Sequence, residues 1–207
     1  MNDPEFHPDS FLRDDESEDE LFFLGPRLVV HIDEGAIEAA RQLYMEFLPP
    51  GGRLLDLMSS WRSHLPDDVE FEEVVGLGMN ATEMEENQQL DRIVIHNLNR
   101  EPNLPFDDDE FDGAVCTVSV QYMVQPVEIF AEVGRILKPG SPFIVTFSNR
   151  CFPTKAVLLW RATDDAQHAA IVHEYFNRSA RFDEVQFLDR SPSGGDPLYA
   201  VIGRSRP

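Results

Sequence analysis

At 207 residues the chain is long enough for one domain with a sizeable core, and 42% hydrophobic with 10% aromatic residues place it among globular rather than disordered proteins. Thirty-eight acidic residues against seventeen basic ones give a formal net charge of −21, a surface that repels phosphate backbones and anionic bilayers. Two cysteines, Cys116 and Cys151, make no disulfide framework, no apolar stretch reaches membrane-spanning length, and the acidic amino terminus is the reverse of a targeting peptide; the expectation is a cytoplasmic protein with no nucleic-acid or membrane partner.

Residues 1–20 carry nine acids and one base, Arg13, and read as a mobile or loosely docked arm, with Phe6, Phe11 and Leu12 able to pin part of it. Residues 21–207 read as a single α/β domain, entered at Leu21-Phe22-Phe23-Leu24-Gly25-Pro26. Asp33 is placed to cap a helix whose apolar residues Ala36, Ile37, Ala40, Leu43, Tyr44 and Phe47 recur at helical spacing, and Pro49-Pro50-Gly51-Gly52 stops it. A strand follows over residues 53–57, with Asp56 where it ends. Apolar strand, carboxylate, small residues and a new helix are how α/β proteins build a nucleotide crevice. A short helical piece is expected near residues 59–64.

Further strands are predicted over residues 71–77, 91–96, 111–118 and 142–147, separated by a helical pattern over 79–90 and another from about Pro126. Residues 154–176 read as mainly helical with a break near Thr163-Asp164-Asp165, and residues 185–188 and 198–202 as a closing antiparallel pair. Alternating strands and helices imply a mostly parallel sheet with right-handed crossovers and helices on both faces.

Two stretches carry a family resemblance. Asn103-Leu104-Pro105-Phe106-Asp107-Asp108-Asp109-Glu110-Phe111-Asp112-Gly113 resembles the Leu-Pro-Phe, acidic loop, Phe-Asp segment of class I S-adenosylmethionine-dependent methyltransferases, in particular the small type 11 domains. Glu132 to Gly140 is similar to their helix ending in Arg-x-Leu-Lys-Pro-Gly. The resemblance, in order and spacing, covers roughly residues 50 to 150. It implies a Rossmann-like methyltransferase fold: a mostly parallel seven-stranded sheet with an antiparallel terminal edge strand. It also implies S-adenosyl-L-methionine as cofactor and methyl transfer to a small-molecule nucleophile such as a thiol or amine.

The chain departs from that family at the cofactor. Its glycine-rich first loop is replaced by Asp56, Met58, Ser60 and Arg62 at the corresponding places, the acid after strand two by Gly78 with Asn80 nearby, and the adenine-facing Asp by Asn97. The resemblance implies cofactor binding by Asp56, Met58, Ser59, Ser60, Gly78, Met79, Asn80, Asn97, Leu98 and Ser119, and acceptor binding by Gln121, Tyr122, Asn149 and Arg150. Plainer readings stand beside these: Asp56 and the serines as caps, Asn97 closing a turn, Phe106 as core, Arg150 pairing with the acidic surface. Tyr122, His31 and His64 are candidates to handle a proton, and Cys151 reads as a passive thiol. No spacing suggests a metal site. A non-catalytic relative that binds a protein partner, and an NAD-dependent reductase lacking its Gly-x-Gly-x-x-Gly, are the rival readings; nothing in the sequence sets the oligomeric state.

Overall fold

Leu54 and Leu55 begin the architecture: adjacent in β1 (Arg53–Leu57), they point to opposite faces of the sheet and seed two separate cores. The computed structural model describes residues 6–207; Asp3 and Glu5 of the expected acidic arm lie outside the described residues. β2 (Glu73–Gly78), β3 (Arg92–Ile95), β4 (Gly113–Thr117) and β5 (Pro142–Phe147) lie parallel to β1. The closing pair, β6 (Phe182–Asp189) and β7 (Tyr199–Ser205), completes a seven-stranded sheet in the order β3-β2-β1-β4-β5-β7-β6. β7 is inserted between β5 and β6 and runs against both. The fold is Rossmann-like and mostly parallel, with an antiparallel pairing at one edge.

On one face α2 (Glu34–Phe47) lays Ile37, Ala40, Leu43 and Tyr44 on Leu54, Val74, Val115 and Ile144. On the other, α4 (Pro126–Ile136) and α6 (Asp165–Ser179) bring Phe130, Val133, Tyr175 and Phe176 onto Leu55, Ala114, Phe143 and Val145. Their starts follow from local chemistry: the Asp33 carboxylate caps α2, Pro126 opens α4, and Asp164 with Gln167 forms a reciprocal capping box on α6.

Two expectations are corrected. Residues 59–64 form no helix: Met58 and His64 sit in the left-handed region at φ of 59° and 57°, and the turn is organised by the Asp56 carboxylate instead. The helix expected over residues 79–90 stops as α3 (Ala81–Glu85), because the Asn87 amide turns back to the Ser60 carbonyl and the Ser63 hydroxyl, each at 2.9 Å. Over residues 6–22 the acidic stretch packs against the domain. Its Phe6 and Phe11 pack on Tyr175, and α1 (Asp19–Phe22) is held by the fully buried Lys155, whose ammonium lies 3.2 Å from the Asp19 carboxylate and donates to the Ser17 carbonyl at 2.6 Å. The short α5 (Leu158–Arg161) joins the same contact, Leu158 donating its N–H to the Leu12 carbonyl.

Candidate active site at the carboxyl edge of the sheet

The parallel strands end at one edge of the sheet, and between β1 and β4 the strand order reverses, which opens a crevice there. Asp56, Met58, Ser59, Ser60, Met79, Asn80, Asn97, Leu98 and Ser119 line it, together with His31, His64 and Tyr122. Gly78, Gln121, Asn149 and Arg150, chosen with them from the sequence, are not among its lining residues.

The first loop explains several of these placements. Asp56 is buried, and one oxygen of its carboxylate accepts from the hydroxyls of Ser59 at 2.5 Å and Ser63 at 2.6 Å. Burial pushes its carboxyl up to about 6, and the two serine hydroxyls pull the other way. The loop then crosses the end of β2: a Cβ on Gly78 would stand 2.4 Å from the Ser59 carbonyl oxygen. No acidic side chain fits at that position. The carboxylate on this side of the crevice comes instead from Glu83, in the first turn of α3, where it accepts from the Ser60 hydroxyl and the Arg27 N–H, each at 2.6 Å.

Much of the polar lining is satisfied within the protein. The Asn80 side chain caps α3 through its oxygen and donates to the Phe23 carbonyl at 2.8 Å. The Asn97 oxygen closes a turn by accepting from the N–H groups of Asn99 and Arg100. Ser119 donates to the Thr117 carbonyl. Phe106 is core, edge-on to Phe111 at 5.0 Å. Gln121 is buried and donates to the carbonyl of Val118, a β-branched residue in the left-handed region at φ 44°. Asn149 is exposed. Arg150 pairs with Asp196 at 2.8 Å in an adjoining mouth that Cys151, Phe152, Tyr122 and His31 also line.

The proton-handling candidates are tuned by burial. His64 is lowered to about 4, chiefly by burial and then by Arg41 and Arg62, while His31 is lowered by burial against the opposing pull of Glu83. Tyr122 is pushed up to about 12 by burial, and its hydroxyl accepts the Phe152 N–H at 2.8 Å. Burial also raises the Cys151 thiol. Among the described residues no three His, Cys, Asp or Glu side chains gather as a metal set.

Sequence reasoning missed the roof. Residues 23–31 lie over the crevice, with Phe23, Arg27, Val29 and Val30 in its lining, and are fastened by the Trp61 indole N–H to the Val29 carbonyl at 2.8 Å. The Arg27 guanidinium packs over the rings of Phe22, Phe152 and Phe23, and its Nη1, like the His64 Nδ1, is buried without a hydrogen-bond partner. The available signal for Glu83 was the Asn80-x-x-Glu83 capping pattern; for Arg27 it was a lone base following two aromatics in an acidic terminus.

Strand order, the switch-point crevice and the inserted β7 give the Rossmann-like fold that solved methyltransferases share. Residues 61–145 match the family described as a methyltransferase domain. A malonyl-[acyl-carrier protein] O-methyltransferase from Marinomonas sp. is 24% identical over 83 residues, 40% of this chain and 30% of that protein. The chain spans between 12% and 30% of the length of the curated relatives it matches. Among solved structures, the complex of the Haloferax volcanii Trm112 methyltransferase activator with a methyltransferase is similar at a TM-score of 0.61 and 15% identity, covering 84% of this chain and 91% of that one. An S-adenosylmethionine-dependent methyltransferase from Thermotoga maritima is similar at 0.58 and 16% identity, covering 83% and 90%. No described helix is long and apolar enough to cross a membrane.

Proposed function

We propose that this chain is an S-adenosylmethionine-dependent methyltransferase acting on a small-molecule nucleophile. One observation carries the reading: the loops after β1, β2, β3 and β4 converge on a single crevice roofed by residues 23–31. The unpartnered buried Nδ1 of His64 in that lining fits a polar ligand. When bound, the donor supplies an electrophilic sulfonium methyl group. Asp56 and the Met58–Ser60 turn, Met79 with Glu83, and Asn97 with Leu98 would hold it. Tyr122, His31 and Phe152 border the adjoining mouth and would face the acceptor. Fixing both reactants in attack geometry supplies up to about 7–11 kcal/mol. One curated relative is by name an O-methyltransferase of a malonyl group, which keeps oxygen acceptors beside thiols and amines.

Calorimetric titration with S-adenosylmethionine and S-adenosylhomocysteine tests this reading. Micromolar binding to the wild type that Asp56→Ala weakens at least about tenfold is the expected result. No heat and no melting shift at millimolar ligand sinks it.

A second reading has its own support. The Ser59, Ser60, Asn80 and Asn97 side chains are already engaged by protein groups, as in a scaffold whose crevice no longer takes the cofactor. The similar Haloferax volcanii protein was solved with a protein activator, so a protein partner is the alternative ligand. Complete insensitivity to S-adenosylhomocysteine selects this reading.

A further inference from the structure

Methyl transfer requires an acceptor that arrives with a free electron pair or meets a base, and the proton-handling candidates His31, His64 and Tyr122 are poor bases at neutral pH. Burial holds His31 and His64 below the ordinary imidazole value, so both are weak bases, and Tyr122 stays a neutral phenol. One oxygen of the Asp56 carboxylate is taken by the hydroxyls of Ser59 and Ser63, both oxygens of Glu83 by the Ser60 hydroxyl and the Arg27 backbone N–H, and the Nε2 of His96, also in the lining, lies 2.7 Å from the Glu101 carbonyl. An acceptor already anionic at pH 7 needs no base.

Charge placement points the same way. Most basic side chains of the described chain stand beside a carboxylate, from Arg13 with Asp19 to Arg206 with Asp183. Two arginines in the crevice lining, Arg27 and Arg62, have side chains that pair with no carboxylate among the described residues; Arg62 is exposed and packs on Trp61, whereas Arg27 is half-buried. Its guanidinium lies 4.6 Å from the centroid of Phe22, 5.5 Å from Phe152 and 5.8 Å from Phe23. Its Nη2 donates to the Phe22 carbonyl at 2.8 Å, and its Nη1 is buried with no partner. A guanidinium packed among three rings is pre-set and partly desolvated, which strengthens a charge-assisted bond to an anion. Phe152, on which Arg27 packs, lines both the crevice and the adjoining mouth, where an acceptor would enter.

Building on the donor reading above, we propose that the methyl acceptor is a small carboxylic acid, bound as its anion by Arg27 and methylated on a carboxylate oxygen. An oxygen lone pair forms the O–CH3 bond as the S–CH3 bond breaks. The sulfonium becomes a neutral thioether, the product is a methyl ester, and no proton moves.

The test titrates protein saturated with S-adenosylhomocysteine against benzoate and hexanoate, with benzylamine and hexylamine as charge-reversed counterparts. The wild type is expected to bind the carboxylates with millimolar affinity and the amines not at all. Arg27→Met should weaken carboxylate binding about tenfold or more and Arg27→Lys should recover part of it, while S-adenosylhomocysteine and 5′-methylthioadenosine bind all three proteins alike. That equal nucleoside binding also certifies the fold of the variants. The proposal is overturned by equal carboxylate binding to wild type and Arg27→Met, by a preference for the amines, or by no carboxylate binding up to about 100 mM. If Arg27→Met loses S-adenosylhomocysteine but keeps 5′-methylthioadenosine, which lacks the amino-acid end, Arg27 serves the donor's own carboxylate and the acceptor assignment falls. A wild type that binds neither nucleoside gives a separate result, removing the donor reading itself.

Discussion

Asp56 and His64 stand in one crevice with opposite consequences for stability. Burial pushes the Asp56 carboxyl up to about 6, so the folded chain holds that proton more tightly than the unfolded chain does. Its contribution favours folding at low pH and is lost as pH rises from about 4 through about 6, on the order of 2–3 kcal/mol. His64, lowered to about 4, runs the other way: between about 6.5 and 4 the unfolded chain takes up a proton that the folded chain refuses, and acidification costs stability. In the wild type the two slopes oppose each other across that window. Asp56→Asn deletes only the first, so its melting temperature should fall more steeply than the wild type's from pH 6.5 to 4.5; parallel curves would refute the raised carboxyl. Gly78 makes a separate point about restoring a family pattern. A side chain there meets the Ser59 carbonyl at 2.4 Å. Gly78→Asp should therefore cost about 1–3 kcal/mol in equilibrium unfolding and bring no gain in nucleoside affinity; a variant of full stability with tighter binding would contradict the loop path.

The amino-terminal segment leads directly into the roof of the crevice. Lys155 is its anchor, paired with Asp19 and Asp15 and donating to the carbonyls of Asp15 and Ser17. Lys155→Ala leaves the buried Asp19 with only Arg13 and Asn99, and removing one partner of a buried ion pair typically costs about 3–5 kcal/mol. The expected result is a lower unfolding midpoint with early proteolytic cleavage before α2; cleavage no faster than in the wild type would show that the segment is held elsewhere. Elements of this kind are where the sequence was least readable. β1, β4, β5, α2 and α4 announced themselves through apolar runs, helical spacing and local stop signals, because their burial is periodic along the chain. The roof over residues 23–31 has no such period. It is fixed by contacts from far along the chain, Trp61 to Val29, Asn80 to Phe23 and Glu83 to Arg27, and so is the turn that replaces the helix expected at residues 59–64. The crevice itself could be located from Asp56 at a strand end. Which of its polar atoms were already engaged could not, since Ser60 with Glu83 and Asn87 with Ser63 are tertiary pairings.

At the scale of the whole molecule, a net charge of −21 sets the response to salt. Individual surface ion pairs contribute about 0–1 kcal/mol and weaken on screening, whereas the long-range repulsion among excess carboxylates is relieved by it. With the Debye length falling from about 10 Å at 0.1 M to about 3 Å at 1 M, the melting temperature should rise with KCl over that range at pH 7. A fall would mean that the paired bases outweigh the repulsion. The same imbalance leaves the chain with two lysines, Lys138 on the surface and Lys155 with no exposed side-chain area. Acylating reagents can reach the second amine only while the amino-terminal segment is lifted. Mass-spectrometric timing of Lys155 acylation against that of Lys138 therefore clocks the lifting of the segment that leads into the crevice roof, with and without nucleoside.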